Sequence, residues 1–247
     1  MSAVPSIARL SEMSPRLKAR LAGAFYLVTI LLGVFSQRVV SDALVRYGDA
    51  AATASNILAH ESLYRLGYAV YLIELACQIT MTALFYDLLK PVSRSASLLA
   101  AFFGLVGCTV KIVSRLFFLS PLLVLEGGAS FSVFSAEQAH ALALLLLKVN
   151  YQAETVAMVF FGLYASVKGY LVFRSTFLPR ALGVLSAIGG FTWLAYLYEP
   201  FATRILPIIL LAGLVGSLAN IGWLLTLGVD DTRWREQAST ARESIWR

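Results

Sequence analysis

The chain has 247 residues, of which 59% are hydrophobic and 14% charged, well below the roughly 25% charged residues of an average soluble domain. Its apolar residues are gathered in blocks of about 20, the length a helix needs to cross ~30 Å of hydrocarbon, which argues against a water-soluble fold. The formal charge of +6 comes from basic residues beside those blocks, where they set membrane orientation, so nucleic-acid binding is a poor reading.

The blocks should be helices, because transmembrane strands would alternate apolar and polar over ~10 residues. The first is expected over residues 21–40, preceded by Arg9, Arg16, Lys18 and Arg20. The basic stretch and apolar run resemble a signal peptide, but no small-residue cleavage site follows, so the helix is read as retained. Asp49 offers an N-cap for a short helix over 50–59, which leads into a second span over 63–89. Lys90-Pro91 stops that span, and a third is expected over 96–125. Ser135 and Gln138 have capping-box spacing. The helical pattern from 139 to 173 is too long for one upright span, so it is divided into an outer turn ending near Lys148 and a fourth span over 150–172. The fifth is expected over 182–198 and the sixth over 205–227, with Pro207 in the tolerated first turn. Loops are short, so consecutive helices should be antiparallel neighbours in one transmembrane domain spanning residues 1–247. The small residues Gly213 and Ser217, and Ser186 and Gly190, have the spacing of close helix contacts inside a bundle.

Thirteen Lys and Arg fall on the side of the two tails, residues 1–20 and 229–247, and of the second and fourth loops. Only Arg38, Arg46, Arg65, Lys148 and Arg204 fall on the other. That bias places both termini in the cytoplasm. Ile7, Leu10, Leu17 and Leu21, and likewise Trp234, Ala238, Ala241 and Ile245, recur at helical spacing with basic residues on other faces. The tails are read equally as amphipathic helices on anionic lipid headgroups and as frayed, solvated ends.

Several segments carry a family resemblance: Ala22-Gly23-Ala24-Phe25-Tyr26-Leu27, Gly48-Asp49-Ala50-Ala51-Ala52, Ile57-Leu58-Ala59-His60-Glu61-Ser62-Leu63 and Leu88-Leu89-Lys90-Pro91-Val92-Ser93-Arg94. Phe161-Gly162-Leu163, Gly169-Tyr170-Leu171 and Phe177-Leu178-Pro179-Arg180-Ala181-Leu182-Gly183 continue it in order. With these the chain resembles the domain of unknown function 4386 family of bacterial membrane proteins. The resemblance implies a compact multi-pass protein of the bacterial inner membrane, and it brings no activity, cofactor or catalytic residue.

Candidate chemistry lies in polar residues within the apolar blocks. Glu74 and Gln78 are one turn apart on the second helix, Lys111 and Arg115 on the third, and Asn150 and Glu154 on the fourth. A charge at the bilayer centre costs at least ~2.5–3.5 kcal/mol, so the four ionisable members should face inward and meet. Counted from the helix ends, Glu74, Arg115 and Glu154 lie at one depth, with Lys111 a turn deeper. The charges cancel, and Arg115 is expected to bridge carboxylates with its fork of donors. His140 and Lys148, with Tyr151, are read first as lone surface residues and alternatively as the lining of an entrance, and Tyr196 and Glu199 are read as interfacial anchors. Cys77 and Cys108 sit in apolar blocks without ligand spacing and are read as packing residues. No standard catalytic motif or metal-ligand pattern is present, and no cofactor is expected.

Three readings follow. The first is a pocket for a small-molecule ligand, or a path for a proton or ion, built on helices two to four. In the second, a structural or regulatory membrane protein uses its buried charges only to fix helix packing. In the third, a lipid-modifying enzyme uses Glu74 or Glu154 as general base. Neither an internal repeat nor matched broken helices argue for secondary transport, and oligomeric state is left open.

Overall fold

The computed structural model of the chain describes residues 13–127 and 133–243, and every regular element among them is helical. Six helices are long and apolar enough to cross a membrane: α1 (Pro15–Leu44), α3 (Glu61–Leu89), α4 (Arg94–Leu125), α5 (Ala136–Arg174), α6 (Arg180–Leu197) and α8 (Leu206–Thr226). Between and after them lie the short α2 (Ala50–Ala59), α7 (Glu199–Arg204) and α9 (Asp231–Glu243). The molecule is an integral, multi-pass membrane protein. Large apolar side chains such as Leu31, Leu116, Leu123, Phe191 and Leu211 are exposed on the outside of the bundle, where hydrocarbon rather than water would meet them.

Local signals set the helix starts. Ser14 accepts from the Leu17 amide ahead of Pro15, Asp49 accepts from Ala52, and Ser93 accepts from Ala96. Ser135 and Gln138 cap each other reciprocally. Each bond satisfies an amide that has no partner inside its helix.

Two expected boundaries are corrected. α1 begins at Pro15, so residues 15–20 are helix rather than tail, and Lys18 is buried in an ion pair with Asp87, which also holds Lys90. The break near Lys148 does not occur, because α5 is continuous over 39 residues. No Gly or Pro interrupts the chain from Ala136 to Phe161, and a leucine- and alanine-rich run has no reason to leave the helix. At 1.5 Å per residue α5 is about 58 Å long; it packs beside α2, and its Leu147 shares an apolar cluster with Ile57 of that helix.

Near its end α1 winds more loosely, with a π-helical stretch at Ser36–Ser41. Val40 there fills the space over Gly67 of α3, where a β-carbon would come within 2.7 Å of Val40 Cγ1. α5 and α6 meet backbone to backbone: a β-carbon on Gly183 would lie 2.5 Å from the Phe173 amide nitrogen. Gly190 packs on Ser166 and Gly213 on Trp193, so the small-residue positions serve contacts inside the bundle.

One end of the bundle gathers the start of α1, the end of α3, the α5–α6 connection and α9. There the Arg16 amide donates to Asp231, the Asp230 amide to the Phe177 carbonyl, and the Trp234 indole to the Leu88 carbonyl. Trp234 is therefore turned toward the bundle. Ile7, Leu10 and Ile245 of the expected amphipathic stripes lie outside the described residues.

Candidate functional site

α4 presents Lys111 and Arg115 one turn apart, and the two basic groups find different partners. The Lys111 ammonium donates to both oxygens of Glu74 on α3, at 2.9 and 3.0 Å. Arg115 pairs with Glu154 on α5 and donates to Asn150 Oδ1 at 3.4 Å. The expected meeting of four charges is thus resolved into two ion pairs. Arg115 bridges no second carboxylate among the described residues; its guanidinium lies instead over the Tyr71 ring, 3.5 Å from the centroid. Among the described residues it is the largest fully buried side chain, 1% exposed.

The loosened turn of α1 serves this arrangement. It brings Gln37 and Ser41 to the Tyr71 hydroxyl, which donates to Gln37 Oε1 at 3.2 Å and lies 3.1 Å from Ser41 Oγ. Phe118 stacks on Tyr64, whose hydroxyl donates to the Phe118 carbonyl, and meets Tyr71 edge-on. The Arg115 cation is therefore walled by rings and paired at its fork.

Each ion pair borders a cavity. The central cavity, about 260 Å³, is lined from all six long helices: Tyr26, Thr29 and Gly33 of α1, Glu74 and Gln78 of α3, Lys111 of α4, Met158 and Lys168 of α5, Trp193 of α6 and Ser217 of α8. A second cavity of about 440 Å³ lies toward the other end of the bundle. Gln37, Asp42, Tyr47, Asn150, Tyr151, Glu154 and Tyr196 line it. Met158 borders both. Burial and the nearby Glu154 carboxylate push the Tyr47 phenol up to about 12, so at neutral pH it stays a protonated donor.

Of the seven residues singled out from sequence, Glu74, Gln78 and Lys111 line the central cavity, and Asn150, Tyr151 and Glu154 line the second. Arg115 is packed between rings. Tyr151 stands 5.9 Å from Tyr47, ring to ring. His140 and Lys148 are absent from the described linings, Lys148 being exposed. Glu199 accepts from Gln152 at 3.2 Å.

Sequence reasoning missed Lys168, which it counted as a loop residue. It lies six residues inside the end of α5 and is 3% exposed. Its ammonium faces the rings of Phe85, Tyr26 and Tyr164 at 4.7, 5.0 and 5.5 Å. Helical spacing carries the signal: at 100° per residue, the fourteen positions from Glu154 bring Lys168 back to within about 40° of the same face. Thr29 and Ser217 were also missed, since Ser and Thr hydroxyls in apolar helices ordinarily satisfy themselves on their own backbone; Ser217 Oγ lies instead 2.8 Å from the hydroxyl of Tyr26, which was missed with it.

Residues 21–228 match a family described as Domain of unknown function (DUF4386). No curated protein and no solved structure matches the chain.

Proposed function

The chain belongs to the DUF4386 family, and we propose that it binds a small molecule in the central cavity, with the Glu74–Lys111 pair as one polar wall. The observation that carries this reading is the position of the pair. A pair that serves packing alone should be enclosed by groups that complete its hydrogen bonds, because each ion taken from water costs several kcal/mol that close pairing and such bonds must offset. This one instead borders open space together with Gln78, Lys168 and Ser217, and apolar walls with a few convergent polar groups are the character of ligand sites. The second cavity is the proposed entrance. It meets the central one across Met158, a flexible side chain suited to opening and closing.

A second reading holds for the other ion pair. Arg115 is ring-stacked, paired with Glu154 and bonded to Asn150, which favours a role in fixing how α3, α4 and α5 pack. The basic end of the bundle is proposed to face the cytoplasm and its anionic headgroups.

Gly33 provides the test. A β-carbon there would meet only Glu74 Cγ, at 4.0 Å, and Gly33 lines the cavity, so the larger side chain of Gly33→Leu is expected to take up cavity space. Small molecules and lipids retained by the purified protein are identified by mass spectrometry. A species held by the wild type and lost from Gly33→Leu is the expected result; identical profiles would remove the cavity reading.

A further inference from the structure

Lys168 is a buried cation for which the described residues supply rings but no hydrogen-bond acceptor and no carboxylate. Aromatic faces hold a positive charge, yet an ammonium has three N–H donors that want oxygen. Among the described residues every other buried or half-buried lysine or arginine has a carboxylate: Lys18 has Asp87, Lys111 has Glu74 and Arg115 has Glu154.

A second group beside the same cavity is also unmatched. Thr80, Thr82 and Thr109 each donate to a carbonyl one turn back on their own helix, the ordinary solution for a hydroxyl in an apolar helix. Thr29 does not: its hydroxyl is buried without a partner, and Thr29 lines the central cavity with Lys168. A buried hydroxyl left unpaired keeps the full penalty of its desolvation, so a bound acceptor would recover that loss.

Charge narrows the class of ligand. Glu74 and Lys111 cancel, which leaves the cavity one positive charge from Lys168. A singly charged anion closes the balance, whereas a phosphate monoester, at about −1.5 to −2, exceeds it. Gln78, Ser217 and the tyrosine hydroxyls apart, the remaining walls, Ile30, Val34, Met81 and Phe161 among them, are apolar. The volume of about 260 Å³ equals that of about nine waters.

We infer that the central cavity takes a monoanion with an apolar body, a carboxylate or a phosphodiester, whose charged oxygens are received by the Lys168 ammonium and the Thr29 hydroxyl. The inference rests on the cavity being a binding site and goes further by naming what it recognises. Octanoate, octanol, octylammonium and dioctanoyl phosphatidylglycerol are titrated against the full chain in an uncharged maltoside detergent. Binding that persists unchanged in Gly33→Leu is micelle partition and counts as none. An anion should bind about tenfold or more tighter than octanol, and octylammonium weakest. Octanoate as the preferred anion assigns a free carboxylate, and phosphatidylglycerol a lipid headgroup. Lys168→Met should erase the preference while leaving octanol binding in place. The wild-type ranking decides even where that variant does not fold. Octanol equal to both anions, or octylammonium preferred, overturns the inference and leaves the cavity reading standing. Binding of none of the four overturns both.

Discussion

The guanidinium of Arg115 lies over Tyr71, its central carbon 3.5 Å from the ring centroid. The tyrosine hydroxyl beyond is in turn held by Gln37 and Ser41 of α1. A charge on α4 is thereby tied through a ring on α3 to the loosened turn of α1, and through Glu154 and Asn150 to α5. Four helices are registered by one side chain.

Arg115→Ala should therefore lower the stability of the detergent-solubilised protein far more than Arg204→Ala. Removing one member of a buried pair strands the other, at ~3–5 kcal/mol, whereas Arg204 is exposed and a surface arginine contributes below ~1 kcal/mol. Thermal unfolding of the two variants under one condition measures the difference. Equal losses would show that the Glu154 carboxylate does not depend on Arg115.

Backbone contact between α5 and α6 yields a second expectation. Gly183→Ala puts a methyl 2.5 Å from the Phe173 nitrogen and 2.6 Å from the Gly169 oxygen, and Gly222→Ala meets nothing within 4 Å. Because backbone atoms cannot rotate away, Gly183→Ala should separate the two helices and cost ~1–3 kcal/mol. Gly222→Ala should be neutral or stabilising by about 0.5–1 kcal/mol, since helix interiors favour alanine over glycine. Melting temperatures that move alike would contradict the close approach.

Orientation is checked by cysteine labelling in intact cells, with Cys77 and Cys108 replaced by alanine. The exposed Thr232 at the start of α9 probes the basic end. Gly48, exposed with no atom near its would-be β-carbon, probes the opposite end. The excess of basic residues in the tails and in the second and fourth loops predicts that Gly48→Cys reacts with impermeant reagents and Thr232→Cys only with permeant ones. Labelling of Thr232→Cys from outside would invert the molecule.

The six apolar helices were legible because hydropathy and span length are properties of local sequence, and the caps at Asp49 and Ser135 because their partners lie three residues away. The inward-facing charges were legible from helical spacing and the cost of ionised groups in hydrocarbon. Which acid meets which base was not, since net charge and depth are satisfied equally by one cluster or two pairs. Lys111 reaches Glu74, and Arg115 takes Glu154, because Tyr71 and Phe118 stand around the guanidinium, a relation among three helices that no single segment encodes. Lys168 was hidden for a similar reason: proximity to Arg174 and Arg180 gave it the look of a loop residue, while its place among rings depends on α1 and α3 packing over it.

The pairing of Glu74 with Lys111 gives the sharpest test of the central cavity's polar wall. Glu74→Gln strands the Lys111 ammonium beside the cavity, and Lys111→Met strands the Glu74 carboxylate, so each single variant should melt well below the wild type. Both changes together remove the two charges at once and leave an amide beside a thioether of similar size. With both carboxylate oxygens within 3.0 Å of the ammonium, the loss in the double variant should fall short of the sum of the single losses by ~0.5–3 kcal/mol, the range for residues in direct contact. Melting temperatures of the four proteins in one detergent complete the cycle. Additive losses would mean that the two side chains do not share an environment, and the central cavity would then lose the wall on which its proposed role depends.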